Sequence, residues 1–241
     1  MIPLGYGLRL RIGLLVPSSN TTMEPEFYEM APEGVSVHVA RMRLEDVTRE
    51  GLIEMAGEAR RAAGLLATAG VGVIVYGCTT GSLVGGVEWE ESLVGGIEDE
   101  TGIKTLSTGG AMVEAIMALG GGRVAVATPY TDDLNHLERA FLESRGVEVT
   151  AIRGLGLVRN LEIGRTGWEA VEGLVKSVAA GSDLVFISCT NLPTIHLIEK
   201  LERELKRPVV TSNQASMWAA LRGSGVMGLE GYGELLRSRL A

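Results

Sequence analysis

The chain repeats one sequence pattern in its two halves, and this repeat limits the folds it can adopt. Three pairs of segments match in the same order: 11–17 with 123–129, 72–79 with 183–190, and 107–112 with 212–217. The offsets between the paired segments are 112, 111 and 105 residues. Three ordered matches at similar offsets indicate two copies of one structural unit. We therefore expect two pseudo-symmetric lobes that face each other.

Segments typical of strands and of helices alternate along the chain. The predicted strands are short runs rich in apolar residues: 9–16, 35–41, 71–76, 104–106, 123–127, 147–152, 184–187 and 208–210. Most of these runs are continuously apolar, as in a parallel sheet with helices on both faces. Apolar residues at helical spacing lie between them, for example Leu52, Met55, Ala56, Ala59, Ala63 and Leu66. The alternation predicts an α/β fold, with residues 1–117 plus 213–241 in the first lobe and residues 118–212 in the second.

Composition argues against several classes of function. The chain has 22 Lys and Arg residues against 30 Asp and Glu residues, a net charge of −8. Binding to nucleic acid or to an anionic membrane surface requires clustered basic residues, so neither partner is expected. Arg9 and Arg11 interrupt the apolar start of the chain, and no run of about 20 apolar residues follows. We therefore expect a cytoplasmic protein.

The two cysteines and three scattered histidines lack the spacing of zinc ligands, so no metal is expected.

Each cysteine comes directly after a predicted strand. Cys78 precedes Thr79, and Cys189 precedes Thr190. Ligands of parallel sheets bind beyond the carboxyl ends of the strands, and a helix that starts there can bind an anion and stabilise a thiolate. A buried cysteine is more often a packing residue. Two cysteines at equivalent points of two repeats, each followed by threonine, nevertheless favour catalysis.

The motifs that carry the two cysteines resemble those of a known superfamily. The segments VPSSNTTMEPEF (16–27), YGCTTGS (76–82) and ISCTNLPT (187–194) are similar to those of the aspartate/glutamate racemase superfamily, specifically its maleate cis–trans isomerase branch. The resemblance covers nearly the whole chain. It implies two flavodoxin-like lobes with the active site between them, no cofactor, and a small dicarboxylate as substrate. We also expect a homo-oligomer, either a dimer or a tetramer.

The resemblance also implies a reaction and a role for individual residues. Maleate, or a close cis-butenedioate, would be converted to fumarate by thiolate addition to the double bond, rotation and elimination. Cys78 is expected to be the nucleophile, and Cys189 the general acid and base. Side chains and backbone amides that would bind the substrate carboxylates come from both halves of the chain: Asn20, Thr79, Thr80, Tyr130, Asn160 and Thr190. No histidine is near either cysteine in the sequence, so a helix start would have to stabilise the thiolate.

Three of these residues have alternative interpretations. Asn20 could simply cap the helix that begins near Glu24. Tyr130 follows a proline at a strand-to-helix turn, where a buried tyrosine with a satisfied hydroxyl is nearly as common as a ligand contact. Asn160 lies in the segment 154–162, which is too long for a turn and is interpreted as a substrate lid.

Three alternative functions stay open from the sequence. The chain could be a two-cysteine racemase for aspartate, glutamate or a hydantoin, an enzyme similar to arylmalonate decarboxylase, or a non-catalytic protein that binds small acids. A racemase must hold an α-ammonium group, and the turn 17–20 offers no carboxylate, although Glu24 is close. Arylmalonate decarboxylases have glycine at the position of the first cysteine, and Cys78 departs from that pattern.

Overall fold

The computed structural model describes residues 5–240 and contains two parallel four-stranded sheets. The first sheet has the order β2-β1-β3-β4 and the second β6-β5-β7-β8. The strands are β1 Leu10–Pro17, β2 Val35–Met42, β3 Val73–Tyr76, β4 Thr105–Ser107, β5 Arg123–Thr128, β6 Glu148–Gly154, β7 Leu184–Ile187 and β8 Val209–Thr211. The identical order confirms the predicted repeat and the α/β fold, and it is the order found in flavodoxin-like sheets.

All predicted strands form, and their ends lie within two residues of the predicted ends. The continuous apolar runs are explained by burial on both faces, since every residue of β3 and β7 is buried. The strands of the first sheet lie within residues 10–107, and those of the second within residues 123–211. The predicted lobe boundaries stay a prediction, and their outer ends, residues 1–4 and 241, lie outside the described residues.

Helices connect the strands and cover the sheets. They are α1 Met23–Met30, α2 Arg49–Gly57, α3 Ala59–Ala67, α4 Thr79–Leu83, α5 Val87–Thr101, α6 Thr108–Ala118, α7 Asp132–Ser144, α8 Asn160–Gly164, α9 Trp168–Val178, α10 Ile198–Leu205, α11 Ser212–Leu221 and α12 Gly233–Ser238. A 3₁₀ turn, Ile195–Leu197, precedes α10. Among residues 5–240, none of these helices combines the length and apolar character needed to cross a membrane.

The helical pattern predicted around residues 52–66 forms two helices rather than one. The break lies at Glu58, whose carboxylate accepts a hydrogen bond at 2.8 Å from the backbone N–H of Arg43, just after β2. Helical spacing of apolar residues continues across the break because both helices bury the same side. The sequence pattern therefore predicted the buried face correctly but not the interruption.

The helices that follow the last strand of each sheet pack against each other. These are α6 after β4 and α11 after β8. The Ser216 hydroxyl donates to the Thr108 hydroxyl at 3.1 Å within this contact. α6 and α11 occupy equivalent places in the two repeats, so this contact joins the same element of each half. The contact leaves the carboxyl ends of the neighbouring strands close together.

Gly77 joins β3 to Cys78, and its backbone N–H donates to the carbonyl of Leu15 in β1 at 2.7 Å. A Cβ atom at this position would lie 2.7 Å from the carbonyl oxygen of Leu15 and 2.6 Å from the Met23 sulfur. Gly77→Ala should therefore lower the free energy of unfolding by about 1–3 kcal/mol, as measured by urea denaturation. Gly64→Ala is the matched control, because a Cβ there meets nothing within 4 Å inside α3. The control should gain about 0.5–1 kcal/mol, and equal effects of both changes would contradict this account.

Candidate active site

The two sheets are joined by hydrogen bonds at the carboxyl ends of their strands. The Thr190 hydroxyl donates to the carbonyl of Gly77 at 3.2 Å and accepts from the Asn20 amide nitrogen at 3.0 Å. The Ser212 hydroxyl oxygen accepts from the Thr79 hydroxyl at 2.9 Å and from the backbone N–H of Cys189 at 3.0 Å. These bonds bring the turns that carry the two cysteines into one buried network.

Cys78 lies at the N-terminus of α4, as the sequence predicted. Its sulfur accepts a hydrogen bond from the backbone N–H of Gly81 at 3.4 Å and lies 4.0 Å from the Thr80 hydroxyl. Burial nevertheless raises the pKa of the Cys78 thiol to about 11, while the Gly81 amide and the Thr80 hydroxyl lower it. The expected stabilisation by the helix start is therefore present but is outweighed by the loss of water.

Cys189 lies in a different local structure, because no α-helix follows it directly. Residues 190–194 form a turn before the 3₁₀ turn that leads into α10. The expectation of a helix start beside this sulfur is therefore wrong. Cys189 has a φ of 108°, a left-handed conformation that costs a non-glycine residue about 1–3 kcal/mol. Such a strained position persists only where its surroundings fix it.

Tyr130 and Asn191 contact the second thiol. Burial raises the pKa of Cys189 to about 12, whereas hydrogen bonds from the Tyr130 hydroxyl and the Asn191 backbone N–H lower it, and the nearby Cys78 raises it. Tyr130 is itself buried, and burial together with Cys189 raises the pKa of its phenol. Its hydroxyl therefore faces the site, which argues against the interpretation of Tyr130 as a packing residue alone.

Asn20 has two structural roles. Its side-chain oxygen accepts hydrogen bonds from the backbone N–H groups of Thr22 at 3.0 Å and Met23 at 2.9 Å, at the start of α1. Its amide nitrogen points the other way, toward Thr190. The side-chain oxygen therefore caps α1, as the alternative interpretation proposed. The side-chain nitrogen is a donor that faces Thr190.

Asn160 lies at the start of α8 and is buried, rather than inside an irregular loop. Its amide nitrogen donates to the Ser19 hydroxyl at 2.9 Å, and its backbone N–H donates to the carbonyl of Glu45 at 3.1 Å. The N–H of Val47 donates to the carbonyl of Val158 at 2.8 Å. The segment interpreted as a lid is therefore hydrogen-bonded across to residues 45–47 of the first half.

Two residues of this buried hydrogen-bond network, Asn191 and Ser212, were not predicted from the sequence. Asn191 accepts from the backbone N–H of Thr21 at 2.8 Å and donates to the carbonyl of Asn160 at 2.6 Å. Ser212 joins Thr79 to Cys189, as described above. Both had a signal, because Asn191 lies in the motif ISCTNLPT and Ser212 matches Ser107 in the repeat. No group of three or more His, Cys, Asp or Glu side chains within residues 5–240 is placed to hold a metal ion.

Glu138 is a buried carboxyl group behind Tyr130 and beside Ser188. Burial raises its pKa from 4.5 to about 7, while the Ser188 hydroxyl lowers it. The folded state therefore retains a proton that the unfolded chain releases above pH 4.5. Protonated Glu138 therefore stabilises the folded state at low pH, and this stabilisation is lost as the pH rises from 4.5 through the folded-state pKa of about 7.

Replacing Glu138 tests this linkage. In the parent chain, Glu138 should lower the free energy of unfolding by roughly 3 kcal/mol as the pH rises from 4.5 to 8. Glu138→Gln should remove this part of the slope, as measured by urea denaturation across the range. Glu143→Gln is the control, because Glu143 is exposed on the same helix. A slope unaffected by Glu138→Gln would show that the carboxyl group ionises normally.

Comparison with known proteins covers both halves of the chain. Residues 12–236 match the family model of arylmalonate decarboxylase. Maleate isomerase from Nocardia farcinica is 33% identical over 243 aligned positions, which cover 96% of each chain. Arylmalonate decarboxylase from Bordetella bronchiseptica is 30% identical over 233 positions, which cover 93% of this chain and 95% of the relative. Identity alone thus does not separate the two activities.

A solved structure adds a chemical observation. It is a cysteine-to-serine mutant of the maleate cis–trans isomerase from Nocardia farcinica with a covalently bound succinylcysteine intermediate. It superimposes with a TM-score of 0.90 at 31% identity, covering 97% of this chain and 99% of that chain. The similarity therefore includes both sheets and the turns that end them.

Proposed function

Since this chain belongs to the arylmalonate decarboxylase family and its relatives include maleate isomerases, we propose that it isomerises maleate to fumarate. One observation carries the proposal: two buried cysteines lie at equivalent strand ends of the two repeats, and the turns that carry them meet at the hydroxyl of Ser212. The covalent succinylcysteine in the relative supports chemistry through a cysteine. Family membership also confirms the resemblance found in the sequence.

The reaction can be written so that every bond is accounted for. The Cys78 thiolate forms a C–S bond to one alkene carbon, and the neighbouring carbon takes a proton from the Cys189 thiol. The resulting C–C single bond rotates. The Cys189 thiolate then removes a proton from the same carbon while the C–S bond breaks, and the double bond forms in the trans arrangement. Both cysteines return to their starting states, so the proposed reaction needs no cofactor.

Neutral donors would bind the two substrate carboxylates. We propose that one carboxylate accepts from Asn20, from the backbone amides of Thr79 and Thr80, and from the Thr80 hydroxyl. The other would accept from the Tyr130 hydroxyl, the Asn160 amide and the Thr190 turn. All six residues are buried, which strengthens hydrogen bonds to an anion. Donors fixed in this way also stabilise the charge that moves onto a carboxylate during thiolate addition.

The alternative enzyme activities fit the site less well. Glu24, the carboxylate considered for binding an α-ammonium group, forms an ion pair with Arg41 at 2.5 Å. It is therefore already neutralised, which disfavours an amino-acid racemase. The presence of Cys78 where arylmalonate decarboxylases have glycine disfavours decarboxylation.

We also propose a cytoplasmic homo-oligomer, and light scattering during size-exclusion chromatography tests its dimeric or tetrameric state.

The proposed roles predict which cysteine forms a covalent bond. Incubation of Cys189→Ser with maleate should add the mass of one diacid, and peptide mapping by mass spectrometry should place it on Cys78. Cys78→Ala should show neither an adduct nor turnover, because it lacks the nucleophile. An adduct mapped to Cys189 in the parent chain or in Cys78→Ala would reverse the assignment.

Asn20→Asp separates capping from substrate binding. The aspartate retains an oxygen for the N–H groups of Thr22 and Met23 but replaces the donor that faces Thr190 with a second acceptor. The free energy of unfolding should fall by about 1–3 kcal/mol, because the buried hydrogen bond to Thr190 is lost while the oxygen that caps α1 remains. By contrast, kcat/KM for maleate should fall at least about 10- to 100-fold, because the lost donor is charge-assisted and a like charge takes its place. Unchanged kcat/KM would remove Asn20 from the substrate site.

A further inference from the structure

Glu26 is a buried acid within the motif VPSSNTTMEPEF that has no part in the chemistry proposed above. It lies on α1, and its side chain extends to residues that follow β7 and to α11. One carboxylate oxygen accepts from the backbone N–H of Thr194 at 2.8 Å and of Ile195 at 3.2 Å. The other accepts from the Asn213 amide nitrogen at 2.6 Å. Glu26 therefore joins the first repeat to three donors that are 168 to 187 residues away in the chain.

These three donors surround the turn that begins at Cys189. Asn213 donates to the carbonyl of Thr190 at 3.1 Å through the same nitrogen that contacts Glu26. Thr194 and Ile195 lie at the other end of the turn. Glu26 thus fixes the turn at both ends, directly at Thr194 and through Asn213 at Thr190. Because Cys189 has a φ of 108°, this turn needs such outside support.

The partners of Glu26 favour its ionised form. All three are N–H donors, which stabilise the carboxylate more than the neutral acid. Burial raises the pKa of Glu26 to about 7, and hydrogen bonds from Asn213, Thr194 and Ile195 lower it. Glutamine has the same shape, but its NH₂ group would face at least one of these donors. Glu26→Gln therefore breaks the contact on one side without leaving a cavity.

We propose that Glu26 is a positioning residue that holds the strained Cys189 turn so that its thiol faces the carbon next to the one bonded to Cys78. The kinetic consequences of this inference rest on the proposed function. The claim that Glu26 holds the Cys189 turn in place does not. If the turn relaxes, the C–S bond to Cys78 still forms, and water supplies the proton that the neighbouring carbon takes. The proton removal that releases the product then becomes slow, because Cys189 no longer lies over the carbon.

The kinetic test compares Glu26→Gln with Glu29→Gln. Glu29 lies on the same helix and also contacts the second half of the chain, pairing with His196 at 3.4 Å, but it is exposed. In Glu26→Gln, kcat for maleate should fall about 10- to 100-fold. A succinyl adduct on Cys78 should accumulate during turnover, as detected by mass spectrometry of acid-quenched samples. Glu29→Gln should keep kcat within about twofold and accumulate no adduct.

A purely structural role for Glu26 gives a different result. It would lower the melting temperature and the yield of folded protein but leave kcat per folded molecule unchanged, without an adduct. That outcome would overturn the proposal. If Glu26→Gln does not fold, Asn213→Ala removes the second half of the same contact and should accumulate the same adduct. Absence of the adduct in Asn213→Ala would likewise contradict the inference.

A test without substrate separates this inference from the proposed function. Iodoacetamide alkylates each thiol at its own rate, and peptide mapping distinguishes Cys78 from Cys189. Glu26→Gln should speed alkylation of Cys189 several-fold relative to Cys78, because the relaxed turn exposes its sulfur. If the parent chain leaves maleate unchanged while this ratio still rises, the proposed function fails and the role of Glu26 stands. An unchanged ratio would overturn the role of Glu26, whatever the activity with maleate.

Discussion

The Thr190 hydroxyl connects the two sheets at the point where their strands end. It donates to the backbone of Gly77, next to Cys78, and accepts from the Asn20 amide. A buried hydrogen bond contributes only about 0.5–1.5 kcal/mol, but leaving one partner unsatisfied costs about 1–3 kcal/mol. The buried network around Thr190 therefore favours one relative arrangement of the two repeats. The arrangement that satisfies it is the one in which the cysteines lie near each other.

The two repeats place the cysteines at equivalent points but in different surroundings. Cys78 begins a helix and receives an amide hydrogen bond, whereas Cys189 lies in a strained turn beside Tyr130. Burial raises the pKa of both thiols, to about 11 for Cys78 and about 12 for Cys189. The helix start beside Cys78 and the Tyr130 hydroxyl beside Cys189 nevertheless give the two thiols different surroundings, in line with the different roles proposed for them.

The strands and the repeat could be predicted from the sequence, because continuous apolar runs and matched segments are local signals. The position of both cysteines followed from their place after β3 and β7. The contacts of Glu26, Asn191 and Ser212 could not be predicted, since their partners lie 23 to 187 residues away. The short helix at Asn160 was also missed, because its stability depends on hydrogen bonds to Ser19 and Glu45.

Proton NMR of the purified protein with maleate in D₂O tests the central claim most directly. The account predicts that the olefinic signal of maleate is replaced by that of fumarate, and that the change requires both Cys78 and Cys189. In a parallel sample, the α-proton of L-aspartate should not exchange with deuterium. Unchanged maleate together with loss of the aspartate α-proton signal would contradict the account and identify a racemase instead.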